Sequence, residues 1–153
     1  MNFILEALFV GLYSAVLFNV LFFFIKNEYI LLFTLGFLKH FLSYYFNIQT
    51  FFCNHGYACK KLLNDDNNNN NNKNLKNITY IATNNNLTIE SLLEGLWFLT
   101  TGSIIFMFIG KMKPFIVMFF IGFFTHILCE KIKIHKYFCK HNCQPFVQPF
   151  VKG

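Results

Sequence analysis

Charged residues are scarce in this chain, which excludes an ordinary soluble domain. They make up 13% of the 153 residues, against roughly 25% in a typical globular protein. The chain contains lysine but no arginine. No folded segment gathers those lysines into a basic domain, so we do not expect nucleic-acid binding.

Several signatures of catalysis and secretion are also missing. The chain has no Cys-x-x-Cys pair, which argues against redox catalysis. It has no phosphate-binding glycine loop, nucleophile–base pair or carboxylate dyad, so we expect neither an enzyme nor a required cofactor. The N-terminus lacks the basic residues of a signal peptide and carries Glu6 instead, so the first apolar stretch is predicted to stay in the protein.

Apolar residues are abundant. They fill 55% of the chain, and Phe alone occupies 23 positions. Four apolar stretches cover residues 3–25, 29–46, 92–109 and 114–129. The first exceeds the roughly 20 residues that cross a bilayer as a helix, and the others lie near the lower limit. We predict an all-α integral membrane protein with four transmembrane helices.

Two segments of the chain repeat each other. Residues 36–53 align with residues 122–139 without a gap. The matching residues of scarce type are Gly36 and Gly122, His40 and His126, and Cys53 and Cys139. Each repeat is predicted to form one helical hairpin. Two tandem hairpins that enter the bilayer in the same direction should be related by an axis along the membrane normal.

This repeat divides the chain into four parts. Residues 1–61 form the first hairpin with its Cys/His tail, and residues 88–143 form the second, followed by a C-terminal tail at 144–153. Between the hairpins lies a low-complexity, Asn-rich linker at 62–87 with six consecutive Asn. The linker has little to bury, so we predict that it is disordered.

Ionisable residues inside the spans are expected to pair within each hairpin. In an antiparallel hairpin the start of the first helix lies at the same depth in the bilayer as the end of the second. Glu6 should therefore lie level with His40 or Lys39, and Glu94 with His126. Such residues are costly in lipid unless a partner offsets the desolvation. The pairs would fix the packing of the hairpins. Haem ligation by the two histidines, which is less favoured, or proton transfer through the glutamates would instead indicate a redox or transport protein.

The two tails carry the strongest chemistry. Each offers two cysteines and a histidine, namely Cys53, His55 and Cys59 in the first and Cys139, His141 and Cys143 in the second. Disulfides would close Cys53–Cys59 and Cys139–Cys143 within the tails, with a helix break near the first cysteine of each pair. Zinc held by cysteines pooled from both tails, or free thiols, are the alternatives.

Lysine asymmetry predicts the orientation. Nine lysines share the face of the termini and Cys/His tails, and three lie on the face of the hairpin turns. The positive-inside rule places the tails on the cytosolic face. Disulfides at that face would need a dedicated oxidase.

Lysine without arginine, abundant Asn, Ile and Phe, and the poly-Asn tract indicate an AT-rich genome. With its Gly-Phe-x-x-His spans and Cys tails, the chain resembles in style the small multi-span membrane proteins of large nucleocytoplasmic DNA viruses, although an AT-rich protist is a competing source. The resemblance implies a structural or assembly role in a virion membrane or a virus-modified membrane. It also implies membrane or capsid-type protein partners and a viral thiol oxidase.

Overall fold

The computed structural model describes residues 2–62, 79–83 and 86–145. The helices are α1 (Phe3–Phe22), α2 (Glu28–Tyr45), α3 (Ile48–His55), α4 (Leu87–Ile109), α5 (Pro114–Lys131) and α6 (Ile134–Asn142), and the strands are β1 (Tyr80–Ala82) and β2 (Cys143–Pro145). A further helical segment covers residues 57–62. Most of the predicted linker and the C-terminal tail at 146–153 lie outside the described residues.

The four predicted apolar stretches are helical, which confirms the helical fold class. Helices α1, α4 and α5 are each long and apolar enough to cross a bilayer. Helix α2 reaches this standard only together with the helix that follows it, from which it is bent by 77°. The chain therefore has three candidate spans, or four if this bent pair is one broken span.

The buried face of α1 carries mostly small or polar side chains, and its exposed face carries large apolar ones. On α1, Ser14 and Ala15 are fully buried, whereas Leu12 is 54% exposed and Val16 is 52% exposed. A soluble helix shows the reverse arrangement, because water drives its large apolar side chains inward. Lipid does not impose that requirement, and close packing of small residues is typical of membrane helices. The distribution supports a membrane location.

The helices pack mainly across the two halves of the chain. Helix α1 lies along α5 and α2 lies along α4, whereas contacts within each predicted hairpin are sparser. The central apolar core is shared by the four long helices; it consists of Phe18, Leu31, Leu32, Leu35, Phe98, Val117, Met118 and Ile121. Each long helix therefore has its closest neighbour in the other half.

Glycine explains why these two pairs are the close ones. A Cβ atom on Gly122 would lie 2.5 Å from the Ser14 hydroxyl oxygen and 3.0 Å from the Val10 carbonyl oxygen. A Cβ atom on Gly36 would lie 2.5 Å from the Phe98 Cβ atom. Only glycine permits such an approach. Both glycines that match in the sequence repeat thus lie where two helix backbones approach closely.

A residue in the left-handed region lies two residues after the last residue of each of α2 and α5. Asn47 has φ 56° and Lys133 has φ 65°, and these residues have the same separation in sequence as Gly36 and Gly122. Non-glycine residues adopt this conformation infrequently, and Asn does so more readily than most. The chain turns there into α3 and α6. The helix breaks predicted near the tail cysteines therefore fall at the starts of these short helices.

Part of the predicted linker is ordered. Strand β1 pairs antiparallel with β2, with Ile81 opposite Gln144. The Asn54 side chain donates to the Tyr80 carbonyl oxygen at 2.7 Å and accepts from the Tyr80 backbone N–H at 2.8 Å. Helix α4 also begins at Leu87, five residues before the predicted span. The prediction of disorder is therefore wrong for residues 80–82, because their backbone groups have partners that composition alone does not reveal.

We expect alanine at either crossing glycine to separate the helices. Gly36→Ala or Gly122→Ala should lower the free energy of unfolding by about 1–3 kcal/mol, a typical cost of overpacking. Denaturant unfolding in detergent, followed by circular dichroism, measures the loss.

Gly102→Ala is the matched control, because its Cβ atom would meet the movable end of the Leu32 side chain at 3.0 Å. This variant should lose less stability. Equal losses in all three variants would contradict the role assigned to the crossing glycines.

Candidate functional site

The ionisable side chains of the bundle gather at one end. We call it the tail end, defined as the end where α1 and α4 begin and α2 and α5 end. Because the four helices run antiparallel, the first residues of two helices meet the last residues of the other two. The short helices α3 and α6 follow directly from this end, so the polar residues and the cysteine tails lie in one region.

Glu6 is buried at the tail end, with only 3% of the residue exposed. One carboxylate oxygen accepts the backbone N–H of Tyr57 at 2.6 Å. The other lies 3.6 Å from Nε2 of His126. The predicted pairing of Glu6 with His40 or Lys39 is therefore wrong, and its histidine partner comes from the other repeat.

Glu94 also finds its partner across the repeats. Its carboxylate lies 2.5 Å from Nζ of Lys39, and this ammonium group lies 5.0 Å from the ring centre of Phe98. The predicted pairing of Glu94 with His126 is wrong. Depth matching alone cannot choose between two bases at the same level. The close approaches at Gly36 and Gly122 determine which base each glutamate contacts, because they place α4 beside α2 and α5 beside α1.

His40 takes part in a second polar group at the tail end. Its Nε2 atom lies 3.4 Å from Glu90 and 3.1 Å from the Gln49 side-chain nitrogen. Both Glu90 carboxylate oxygens accept from the Asn142 side chain at 2.8 Å. Sequence analysis missed Glu90, which preceded the predicted span. Its position one helical turn before Glu94 was the available signal.

Two histidines connect the buried Glu6 to the edge of the bundle. The rings of His126 and His135 lie 4.4 Å apart between centres, and Nδ1 of His135 lies 3.0 Å from Glu130. Side-chain exposure is 4% at Glu6 and 8% at His126, but 27% at His135 and 19% at Glu130. Carboxylates therefore stand at both ends of a histidine pair that leads outward.

A cavity of about 180 Å³ lies among these groups. Its polar lining comprises Glu6, Tyr13, Lys39, His40, Ser43, Gln49, Glu94, His126 and His135. The Tyr13 hydroxyl is buried and has no hydrogen-bond partner within the described part of the chain. The volume is below the roughly 300–1,000 Å³ of typical small-molecule sites. The candidate haem ligands are His40 and His126, and the Nε2 atom of each already lies beside a carboxylate. Haem binding therefore remains a hypothesis.

The tail cysteines form two disulfides between the repeats. Cys53 bonds to Cys143 and Cys59 bonds to Cys139, with Cα–Cα distances of 5.6 and 5.2 Å. The predicted bonds within each tail are wrong, because packing across the repeats brings the two tails together. Cys129 is a buried free thiol.

The two disulfides form a compact double link. They join residues 90 and 80 positions apart in sequence. Once the Cys53–Cys143 bond exists, the second bond closes only a small extra ring through residues 53–59 and 139–143. The sulfur atoms of Cys59 and Cys143 lie 3.9 Å apart, although they belong to different disulfides.

The tail histidines do not join the sulfur cluster. His55 and His141 are exposed, and Nδ1 of each lies near a carbonyl oxygen of its own helix, at 3.2 and 2.8 Å. Among the described residues, the group with metal-ligand spacing is Cys59, Cys139 and Cys143. Zinc requires thiolates, so zinc binding remains a prediction for reduced protein only.

A comparison of the chain with protein-family models, with curated proteins and with solved structures finds no match in any of the three. The residues of the tail end therefore carry the functional interpretation on their own.

We expect Glu6 and His126 to depend on each other. His126→Leu should lower the free energy of unfolding by roughly 1–2 kcal/mol, because it leaves a buried carboxylate without its basic partner. Glu6→Gln combined with His126→Leu should cost less than the sum of the two single changes.

Denaturant unfolding in detergent provides the measurement, and His141→Leu is the control because that histidine is exposed. Strict additivity of the Glu6 and His126 changes would contradict the pairing.

Proposed function

We propose that the protein is a multi-pass membrane protein with a structural or assembly role rather than an enzyme. The observation that carries this proposal is the covalent closure of the bundle at its tail end. Two disulfides fasten the first half of the chain to the second. A double link of this kind favours one fixed arrangement of the helices, as expected of a building component.

The outer surface supports the same role. Large apolar side chains on α1 and α4 point outward, and Met107 and Phe108 are each 84% exposed. Lipid tails or the apolar faces of neighbouring membrane proteins can cover these side chains. The polar groups at the tail end contact one another, so most of the charge inside the bundle is satisfied within the protein.

We further propose that the chain arose by duplication of a hairpin unit and acts in a virion membrane or a virus-modified membrane. Matching roles for Gly36 and Gly122, and matching breaks at Asn47 and Lys133, support the duplication. The lysine asymmetry favours tails on the cytosolic face. Disulfides there would need a thiol oxidase, because the cytosol otherwise keeps cysteines reduced.

Membrane integration is the first test. The chain, expressed with an N-terminal epitope tag, should stay in the membrane pellet after alkaline carbonate washing. The tag should react with antibody in cells whose plasma membrane alone is permeabilised. Release of the chain by carbonate would contradict integration. Asn77-Ile78-Thr79 and Asn86-Leu87-Thr88 fit the N-glycosylation sequon, and a glycan on either Asn would contradict the cytosolic orientation.

Covalent closure is the second test. A variant with serine at Cys53, Cys59, Cys139 and Cys143 should lose roughly 2–5 kcal/mol of stability, the usual range for a lost native disulfide. It should also disperse into loosely associated forms in lipid nanodiscs, where the native chain gives one defined assembly by native mass spectrometry. Cys129→Ser is the control, because it removes a thiol outside the double link. Unchanged assembly of the fourfold variant would contradict a structural role for the disulfides.

A transport function is the second candidate, favoured by the row of Glu6, His126, His135 and Glu130. Neighbouring imidazoles between carboxylates are a suitable route for protons. Proteoliposomes containing a pH-sensitive dye should then show proton flux that Glu6→Gln abolishes. Flux equal to that of empty liposomes would contradict this candidate.

A further inference from the structure

The four cysteines of the tail end differ in how exposed they are and in what surrounds them. Cys53, Cys59 and Cys139 are buried, and Cys143 is partly exposed. Cys59 and Cys139 line the cavity of the tail end. One disulfide therefore includes a partly exposed cysteine, whereas both cysteines of the other are buried at the wall of the tail-end cavity.

The two disulfides are also in contact with each other. Sγ of Cys143 lies 3.9 Å from Sγ of Cys59, and the sulfurs of Cys59, Cys139 and Cys143 all lie within 4.8 Å of one another. Thiol–disulfide exchange requires that a thiolate reach a sulfur of an existing disulfide. A thiolate at Cys143 would begin almost in contact with its target.

We propose that the tail end carries out intramolecular thiol–disulfide exchange, in which an external dithiol reduces the protein at Cys143 and the thiol produced appears at Cys139 in the cavity wall. The inference is independent of the structural role proposed above. It assigns to the paired disulfides an activity that a purely mechanical link does not need.

The exchange proceeds in two stages, and bonds, electrons and protons balance over both. One sulfur of the dithiol attacks Sγ of Cys143, and Cys53 leaves as a thiolate. The second sulfur of the dithiol closes the reductant into a disulfide and releases Cys143 as a thiolate. This thiolate attacks Sγ of Cys59, a Cys59–Cys143 bond forms, and Cys139 leaves. The dithiol has lost two electrons and two protons, and the protons now reside on Cys53 and Cys139.

A Cys53→Ser variant tests the second stage without any reductant. It leaves Cys143 as a thiol beside the intact Cys59–Cys139 bond. After purification in detergent, acid quenching, alkylation and digestion with trypsin, the tail cysteines fall in peptides 40–60, 137–140 and 141–152, and Cys129 falls in a separate peptide. Exchange predicts that peptide 40–60 is linked to 137–140 in part of the sample and to 141–152 in the rest. In this variant the second species can form only through Cys59.

Cys143→Ser is the matched control, because it leaves the free thiol at Cys53 and removes the attacking sulfur. It should show peptide 40–60 linked to 137–140 alone. Thermal unfolding and gel filtration show whether both variants keep the bundle. A folded Cys53→Ser protein that retains only the link to 137–140 would overturn the proposal.

The native chain provides an independent measurement that requires no variant to fold. One equivalent of dithiothreitol should give a two-electron-reduced form with alkyl groups on Cys53 and Cys139, in addition to the free thiol of Cys129, and a Cys59–Cys143 link. Fragmentation of peptide 40–60 distinguishes Cys53 from Cys59. Alkylation at Cys53 and Cys143 with an intact Cys59–Cys139 bond would show reduction without exchange and would overturn the proposal.

Discussion

Close approach of helix backbones at two glycine positions is the constraint on which the rest of the structure depends. Gly122 brings α5 against α1 and Gly36 brings α2 against α4. In lipid, helices gain little from hiding apolar surface, so tight packing of small residues decides which helices become neighbours. The long helices of each half of the chain therefore pack against those of the other half. The polar contacts at the tail end and the disulfides all follow from that choice.

The polar contacts show how the cost of buried charge is met. Each of these glutamates lies beside a basic group, the buried Glu6 beside His126 and the partly buried Glu94 beside Lys39. In a medium of low dielectric constant an isolated carboxylate would be strongly unfavourable. The two contacts use different bases at comparable depths, so the halves are similar in plan but not in chemistry. This difference concentrates histidines on the side of α5 and α6.

Sequence patterns predicted the helical class, the apolar stretches and the residues that matter, but not their partners. Long apolar runs are local signals of a helix, and so are Asn and Pro residues at a helix start. Asn27 directly precedes α2, and Pro114 is the first residue of α5. Pairing depends on which helices touch. The small residues that determine it were visible in the sequence only as part of a repeat. Glu90 and β1 were missed because their partners are remote in sequence.

The disulfides impose an order on how the molecule is made. Both bonds require a cysteine from the second tail, Cys139 or Cys143, so neither can form while only the first half has been synthesised. During that interval Cys53 and Cys59 are unbonded or temporarily paired in another way. The Glu6 carboxylate likewise lacks its histidine partner until His126 has been synthesised. Covalent closure of this bundle is therefore a late event that depends on the second half of the chain.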